Sequence, residues 1–209
     1  MSTFYIVRHG HSQAQENDLM PDKYSPLSTR GIRQAKERGK TLQDIPFAVV
    51  FSSHCLRAYQ TALYILLYQK KSVPLFIVDT LGEKSWARFE GKKHEEINRE
   101  IHEKRQLFLT LSDKKKLLFK YIKEMESDEE AGNRFIKSLK LIHEKYPNST
   151  MLVSTHGTIM KTFLIKTTDA TYMELPSGSN IDNTGYLIID FDGNNFTHTR
   201  HIGVHRSRL

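Results

Sequence analysis

The 209 residues, 38% hydrophobic and 26% charged, suit one large globular domain or a domain with an elaborated lid, and a core of that size needs neither disulfides nor a structural metal. The lone cysteine, Cys55, excludes an internal disulfide and the multi-cysteine zinc patterns, and no stretch approaches the roughly 18 apolar residues of a membrane span. With 31 Lys and Arg against 24 Asp and Glu, the formal charge of +7 favours acidic partners such as phosphate esters, nucleic acid or anionic lipid, without choosing among them.

The chain starts on a short apolar run that meets Arg8 and His9, with no basic segment before it. A first strand is therefore expected rather than a signal peptide, and a reducing cytoplasm is the expected compartment. Apolar runs at 4–7, 47–51, 75–78 and 151–153, apolar on both faces, predict strands buried in a parallel sheet. Between them lie helical patterns. Ser28 caps a helix carrying Ile32, Ala35, Gly39 and Leu42, which Pro46 stops; 56–68 is a second, 128–146 a third closed by Pro147, and about 158–166 a fourth. Runs at 186–191 and 196–202, joined by Asp192-Gly193-Asn194-Asn195, predict a terminal hairpin.

A charged, helix-compatible excursion at 84–126 reads as a cap over the strand ends. Within it Phe108, Phe119 and Tyr121, at helical spacing beside Leu107, Leu111 and Leu118, read as core rather than as base-stacking groups. No repeat or linker divides the chain. The predicted architecture is α/β: a three-layer α/β/α sandwich with a mostly parallel central sheet, one domain over 1–209, and a helical cap insertion at about 84–126.

In an open α/β sheet, ligands bind beyond the carboxyl ends of the strands. The first run ends in Arg8-His9-Gly10 and the second leads through Ser52-Ser53-His54 to Arg57. The third ends near Glu83 and the fourth in Thr155-His156-Gly157. A glycine after each histidine permits a tight turn and lets backbone N–H groups approach an anion. Arginines offer planar forks of donors that match phosphate oxygens. The set is shaped for a phosphoryl group, and a carboxylate belongs beside a dianion only if it carries a proton for the leaving oxygen.

In this order the motifs resemble the histidine phosphatase superfamily, the fold shared by cofactor-dependent phosphoglycerate mutases and many small phosphatases. Arg8-His9-Gly10-His11-Ser12 looks like its signature, and Leu27-Ser28-Thr29-Arg30-Gly31 through Gln34-Ala35 is similar to its first helix start. Ser52-Ser53 with Leu56-Arg57-Ala58 resembles its second arginine motif. Leu81-Gly82-Glu83 with Phe89-Glu90-Gly91 resembles the acid motif, Glu126-Ser127 with Arg134 the element before the long helix, and Val153 to Gly157 the second histidine. The resemblance implies that His9 is a nucleophile forming a phosphohistidine and that Arg8, Arg57 and His156 clamp the phosphoryl oxygens. Gln15 and Gly157 join them in binding substrate, and Glu83 donates the proton. No metal and no cofactor is implied.

The sequence departs from the common pattern at His11, where Glu or Gln is usual, at Gln15, where asparagine is usual, and at Ala87 and Phe89, where Gly and Trp are frequent. The expected function is hydrolysis of a small phosphorylated metabolite. Mutase-type phosphoryl transfer and a non-catalytic phospholigand-binding module are the alternatives; nucleic acid and membrane are not expected partners, and nothing in the pattern speaks to oligomeric state. His9-Gly10-His11 has metal-ligand spacing, but Gln13 and Ala14 stand where a metallohydrolase run needs Asp and His. Arg88, Lys92, Lys93 and His94, at the start of the cap, are candidates for a second anionic group, and His11 for the pocket rim.

Overall fold

The computed structural model describes residues 1–206. The chain runs β1 (Ser2–Arg8), α1 (Gln13–Glu16), α2 (Thr29–Thr41), β2 (Val49–Ser52), α3 (Leu56–Leu66) and β3 (Leu75–Ile77). Three short helices follow, α4 (His94–Glu100), α5 (His102–Thr110) and α6 (Asp113–Leu118), then α7 (Asp128–Lys145), β4 (Thr150–Thr155), α8 (Gly157–Thr167), β5 (Ile181–Phe191) and β6 (Phe196–Val204). The six strands form one sheet in the order β3-β2-β4-β1-β5-β6. Its first four strands are parallel, whereas β5 and β6 are antiparallel additions beside β1.

The central strands are apolar on both sides because helices cover both faces. On one face Phe4, Ile6, Met151 and Val153 pack with Phe135, Leu139 and Phe163 of α7 and α8; on the other, Val7, Val50 and Leu152 pack with Ala62 and Ile65 of α3. A smaller cluster, Phe89, Ile97, Ile101 and Met125, sits within 84–126. Among the described residues no helix is long and apolar enough to cross a membrane. The local signals acted as expected at the helix starts. Ser28 accepts from Gly31 N, and Ser127 and Glu130 form a reciprocal capping box on α7.

Two expectations differ. The run at 75–78 is not a buried strand: β3 lies at the sheet edge, with Phe76 43% and Ile77 57% exposed, because among the described residues no strand pairs with its outer side. The final hairpin is longer than the apolar run suggests, since β5 begins at Ile181 and passes through a bulge with Thr184 at φ 59°. Its turn is as read, with the Asp192 carboxylate accepting from Asn194 N and Asn195 N and Gly193 at φ 105°.

The glycines after the histidines serve a different purpose from the expected turn. Neither Gly10 nor Gly157 has a positive φ. Instead, backbones cross there without room for a side chain: a Cβ on Gly10 would lie 2.6 Å from Gly31 O, and one on Gly31 would lie 2.0 Å from His11 O. At Gly157 a Cβ would meet Gly178 O at 2.5 Å and Arg8 Nε at 3.0 Å. The first crossing seats the start of α2 against the Arg8–His11 turn. Gly31→Ala is therefore expected to cost about 2 kcal/mol or more and to lower activity by displacing that turn; chemical denaturation with unchanged stability would show that the crossing is slack.

Candidate active site

Beyond the ends of β1 and β4, His9 and His156 stand with ring centroids 5.1 Å apart. Each follows directly on its strand, and His9 N still bonds Thr155 O at 2.9 Å, so the parallel pairing of β1 with β4 sets the spacing of the two rings. His9 Nδ1 lies 2.7 Å from Gly10 O. A carbonyl only accepts, so Nδ1 carries the proton and Nε2 keeps its lone pair. Arg57, buried in the first turn of α3, donates from Nε toward that Nε2 at 3.4 Å. Burial first, then Arg57 and Arg8, hold the His9 imidazole well below its ordinary pKa. His9 is a buried neutral base among cations.

His156 is held the same way, by burial and then by Arg57 and His9. Its Nε2 meets Ser53 Oγ at 2.8 Å, and that hydroxyl also accepts from Cys55 N. His156 Nδ1 has no protein partner, and neither has Arg8 Nε, although both atoms are buried. Arg8 spends Nη1 on the carbonyls of Gly178 and Ile181, and Arg57 donates from Nη1 to Asp22 O at 2.5 Å. Two unsatisfied nitrogens beside a neutral imidazole make a place for anionic oxygens.

Glu83 sits behind this cradle, at the N-terminus of α8. Its oxygens accept from Thr158 N at 3.1 Å, Ile159 N at 2.9 Å and Lys84 N at 3.0 Å. Arg134 fixes the same strap from the other side. It forks onto Glu126 at 2.9 and 2.8 Å and donates to the carbonyls of Thr80, Gly82 and Glu83.

The structure thus brings Arg8, His9, Arg57, Glu83, His156 and Gly157 to one end of the sheet. Gln15 reaches the same pocket, but its carbonyl is engaged with Ser12 N at 3.0 Å and with Asn183 Nδ2 at 3.3 Å, so only its NH2 group is left for a ligand. His11 does not line the pocket; its Nδ1 meets Ser28 Oγ at 2.9 Å, at the cap of α2. Among the described residues no group of three or more His, Cys, Asp or Glu side chains could hold a metal ion.

The cavity, of about 660 Å³, extends from His9 under the segment 84–126. Its far wall includes the half-buried rings of Trp86, Phe108, Phe119 and Tyr121, the last three of which the helical spacing placed in a core. They pack on one another, Trp86 on Tyr121 at 6.1 Å and Phe119 on Tyr121 at 5.2 Å, but over the pocket. The reason is that α5 and α6 bury no residue of their own and lean against the opening. Of the four cap residues considered for a second anion, only His94 reaches the cavity; Arg88 is paired with Glu100.

The family pattern described as histidine phosphatase superfamily (branch 1) matches residues 4–202. The chain belongs to that superfamily. An 86-residue stretch is 33% identical to the 2,3-bisphosphoglycerate-dependent phosphoglycerate mutase 1 of Arabidopsis thaliana, covering 40% of this chain and only 26% of the mutase. A 165-residue stretch is 26% identical to a protein of Bacillus subtilis (strain 168) described as uncharacterized phosphatase PhoE, covering 78% and 76% of the two chains. The crystal structure of phosphoglycerate mutase from Bacillus anthracis str. Sterne superposes with a TM-score of 0.81 at 23% identity, over 97% of this chain and 93% of that one, which shows the shared fold. Phosphatases and mutases both stand among the relatives of this superfamily member.

Several residues that shape the site carried no local signal. Asn183 Nδ2 and Thr184 N both donate to His9 O from the bulge of β5, and Arg38 Nε in turn holds Thr184 O at 2.8 Å. Thr61 Oγ1 accepts from Gly10 N at 3.0 Å and donates to Arg57 O. These contacts position the histidine from elements far apart in sequence. Nitrogen-15 spectra of ring-labelled protein are expected to show His9 as the neutral Nδ1–H tautomer at pH 6, where an ordinary imidazole is mostly charged. A His9 titration midpoint at or above 6.5 would contradict the geometry.

Proposed function

We propose that this histidine phosphatase is a phosphomonoester hydrolase working through a phosphohistidine on His9, on a small phosphorylated metabolite, without a metal or other cofactor. One observation carries the reading: two buried nitrogens, Arg8 Nε and His156 Nδ1, lack protein partners beside a neutral His9. A phosphoryl group satisfies both, with Arg57, Gln15 and the backbone at Gly157 as further donors. Residues 84–126 act as the cap over this site, and a cytoplasmic location belongs to the same proposal.

His9 Nε2 attacks phosphorus as the bond to the leaving oxygen breaks. Arg8 and Arg57 neutralise charge spread over the other three oxygens, and the neutral His156 hydrogen-bonds one of them. Glu83 gives its proton to the leaving oxygen, turning one carboxyl oxygen away from the α8 amides to reach it. A water then attacks phosphorus, its proton passes to Glu83, the nitrogen–phosphorus bond breaks, and His9 is restored as inorganic phosphate departs. In mutase-type transfer a phosphorylated acceptor would take the place of that water.

Rapid quench of the protein with an aryl phosphate in EDTA is expected to give free phosphate and an acid-labile, base-stable phosphoenzyme that is absent from His9→Ala. Turnover through a phosphoenzyme that survives this substitution would overturn the mechanism. With 3-phosphoglycerate and 2,3-bisphosphoglycerate, release of phosphate is expected; isomerisation without it would favour transfer.

Glu83→Gln separates the acid from the cradle. An alkyl phosphate, whose leaving oxygen needs a proton, should lose about 10²–10⁴-fold in kcat, whereas p-nitrophenyl phosphate, whose leaving group is stable as an anion, should lose far less. Equal losses would remove Glu83 from proton transfer.

A further inference from the structure

The pocket wall next to Glu83 holds a second group of buried charges that the phosphoryl chemistry does not use. Lys84, Asp128 and Lys161 are 7%, 3% and 5% exposed, and all three line the cavity. Lys84 Nζ donates to Asp128 Oδ1 at 2.6 Å and Lys161 Nζ to Asp128 Oδ2 at 3.1 Å, while Tyr172 donates its hydroxyl to the same Oδ2 at 2.7 Å. Two ammonium groups thus share one carboxylate. Burial pushes the Asp128 carboxyl up, but Lys161 and Lys84 outweigh it and hold it down at about 2. The carboxylate is therefore ionised, and the cluster carries one positive charge in excess.

Among the described residues no other carboxylate makes an ion pair with Lys84 or Lys161, and Glu90, on the same pocket wall, turns to Trp86 N and Ser85 Oγ. Asp113 and Glu129, the other carboxylates close to Tyr172, pair with Lys116 and Lys166. Glu83 is occupied by the amides of Thr158, Ile159 and Lys84 and makes no ion pair with either lysine. The aromatic faces beside the two Nζ atoms, Trp86 at 5.9 Å from Lys84 and Tyr172 at 4.7 Å from Lys161, soften the charge without neutralising it. An uncompensated ammonium group costs several kcal/mol to bury. A wall of a ligand pocket is where a ligand can supply the missing charge.

We propose that Lys84 and Lys161, held by Asp128, form a subsite for a second anionic oxygen group of the substrate, a carboxylate or another phosphate. The proposal deepens the hydrolase reading and rests on it. The position is specific: Lys84 follows the proposed acid directly, and Lys161 lies on α8 a turn beyond Thr158, whose amide holds that acid. The second anion would therefore belong to the leaving group, on the same side as the oxygen that Glu83 protonates.

The test is a series of straight-chain ω-phosphooxy carboxylates of increasing length, each against its methyl ester, with the matching alkanediol bisphosphates against their monophosphates as a second arm. At the length that spans the two sites, wild-type kcat/KM should favour the anionic member by about ten- to a hundredfold. The arm with the larger ratio tells carboxylate from phosphate. Lys161→Met should collapse the ratio and Lys161→Arg restore most of it; Lys84→Met repeats the test if Lys161→Met does not fold. No preference at any length in either arm, or a preference that Lys161→Met and Lys84→Met leave unchanged, overturns the subsite while leaving the hydrolase reading intact. If no ester in the series is hydrolysed, the hydrolase reading falls instead. Calorimetry of the acids against their esters on wild-type protein then decides the subsite, with equal affinities overturning it.

Discussion

Two guanidinium groups, Arg57 buried and Arg8 half-buried, stand at one end of the sheet with no carboxylate partner among the described residues. Charges taken out of water must be met by oriented dipoles or by counter-charge. This fold meets them with main-chain carbonyls: Asp22 for Arg57, Gly178 and Ile181 for Arg8. Asp22 lies in the loop before α2, and Gly178 and Ile181 lie at and just before the start of β5, so satisfying the two arginines also pins both segments. Burial, with the same positive field, keeps His9 neutral, and Arg8 Nε and His156 Nδ1 are left for an external anion. Nucleophile and cradle are two results of one imbalance.

Keeping the imbalance requires that the nearby acid be restrained. A carboxylate free to swing onto Arg8 or Arg57 would fill the anion's place and close the site. Glu83 is held back by two amides at the start of α8, by its neighbour Lys84 N, and by Arg134, which grips the carbonyls of the strap on both sides of Gly82. Arg134 is in turn neutralised by its bidentate pairing with Glu126 and does not line the pocket.

The centre of the site was legible because strand ends in a parallel sheet converge by construction, and residues placed there by short apolar runs must meet. Arg8, His9, Arg57, Glu83 and His156 all followed from that rule. What escaped depends on contacts between distant segments. The glycines were read as turn formers, whereas their sequence cannot show that Gly31 crosses Gly10 or that Gly178 crosses Gly157. The rings of Phe108, Phe119 and Tyr121 have core spacing, but they lie on short helices and their ends that bury nothing of their own and line the pocket, and β3 has a buried composition at an exposed edge. Asn183 and Thr184 reach His9 from a bulge that no local pattern announces. Gln15 was placed in the pocket, but the capping box that takes its carbonyl appears only once Ser12 is seen to start a helix.

Helix α8 connects these arrangements into one ruler. Its start carries Gly157 against Arg8, its first amides hold Glu83, and Lys161 follows one turn on, about 4.5 Å along the axis from Thr158 at 1.5 Å per residue. A rigid helix fixes these three features relative to one another more tightly than loops would. Of the +7 formal charge, little is spent near His9, and most lies on exposed lysines and arginines where water screens it. The Lys84–Asp128–Lys161 cluster differs from those surface charges in being buried, rigid and unbalanced. Its single excess charge can therefore discriminate among ligands in a way that a larger solvated surplus cannot.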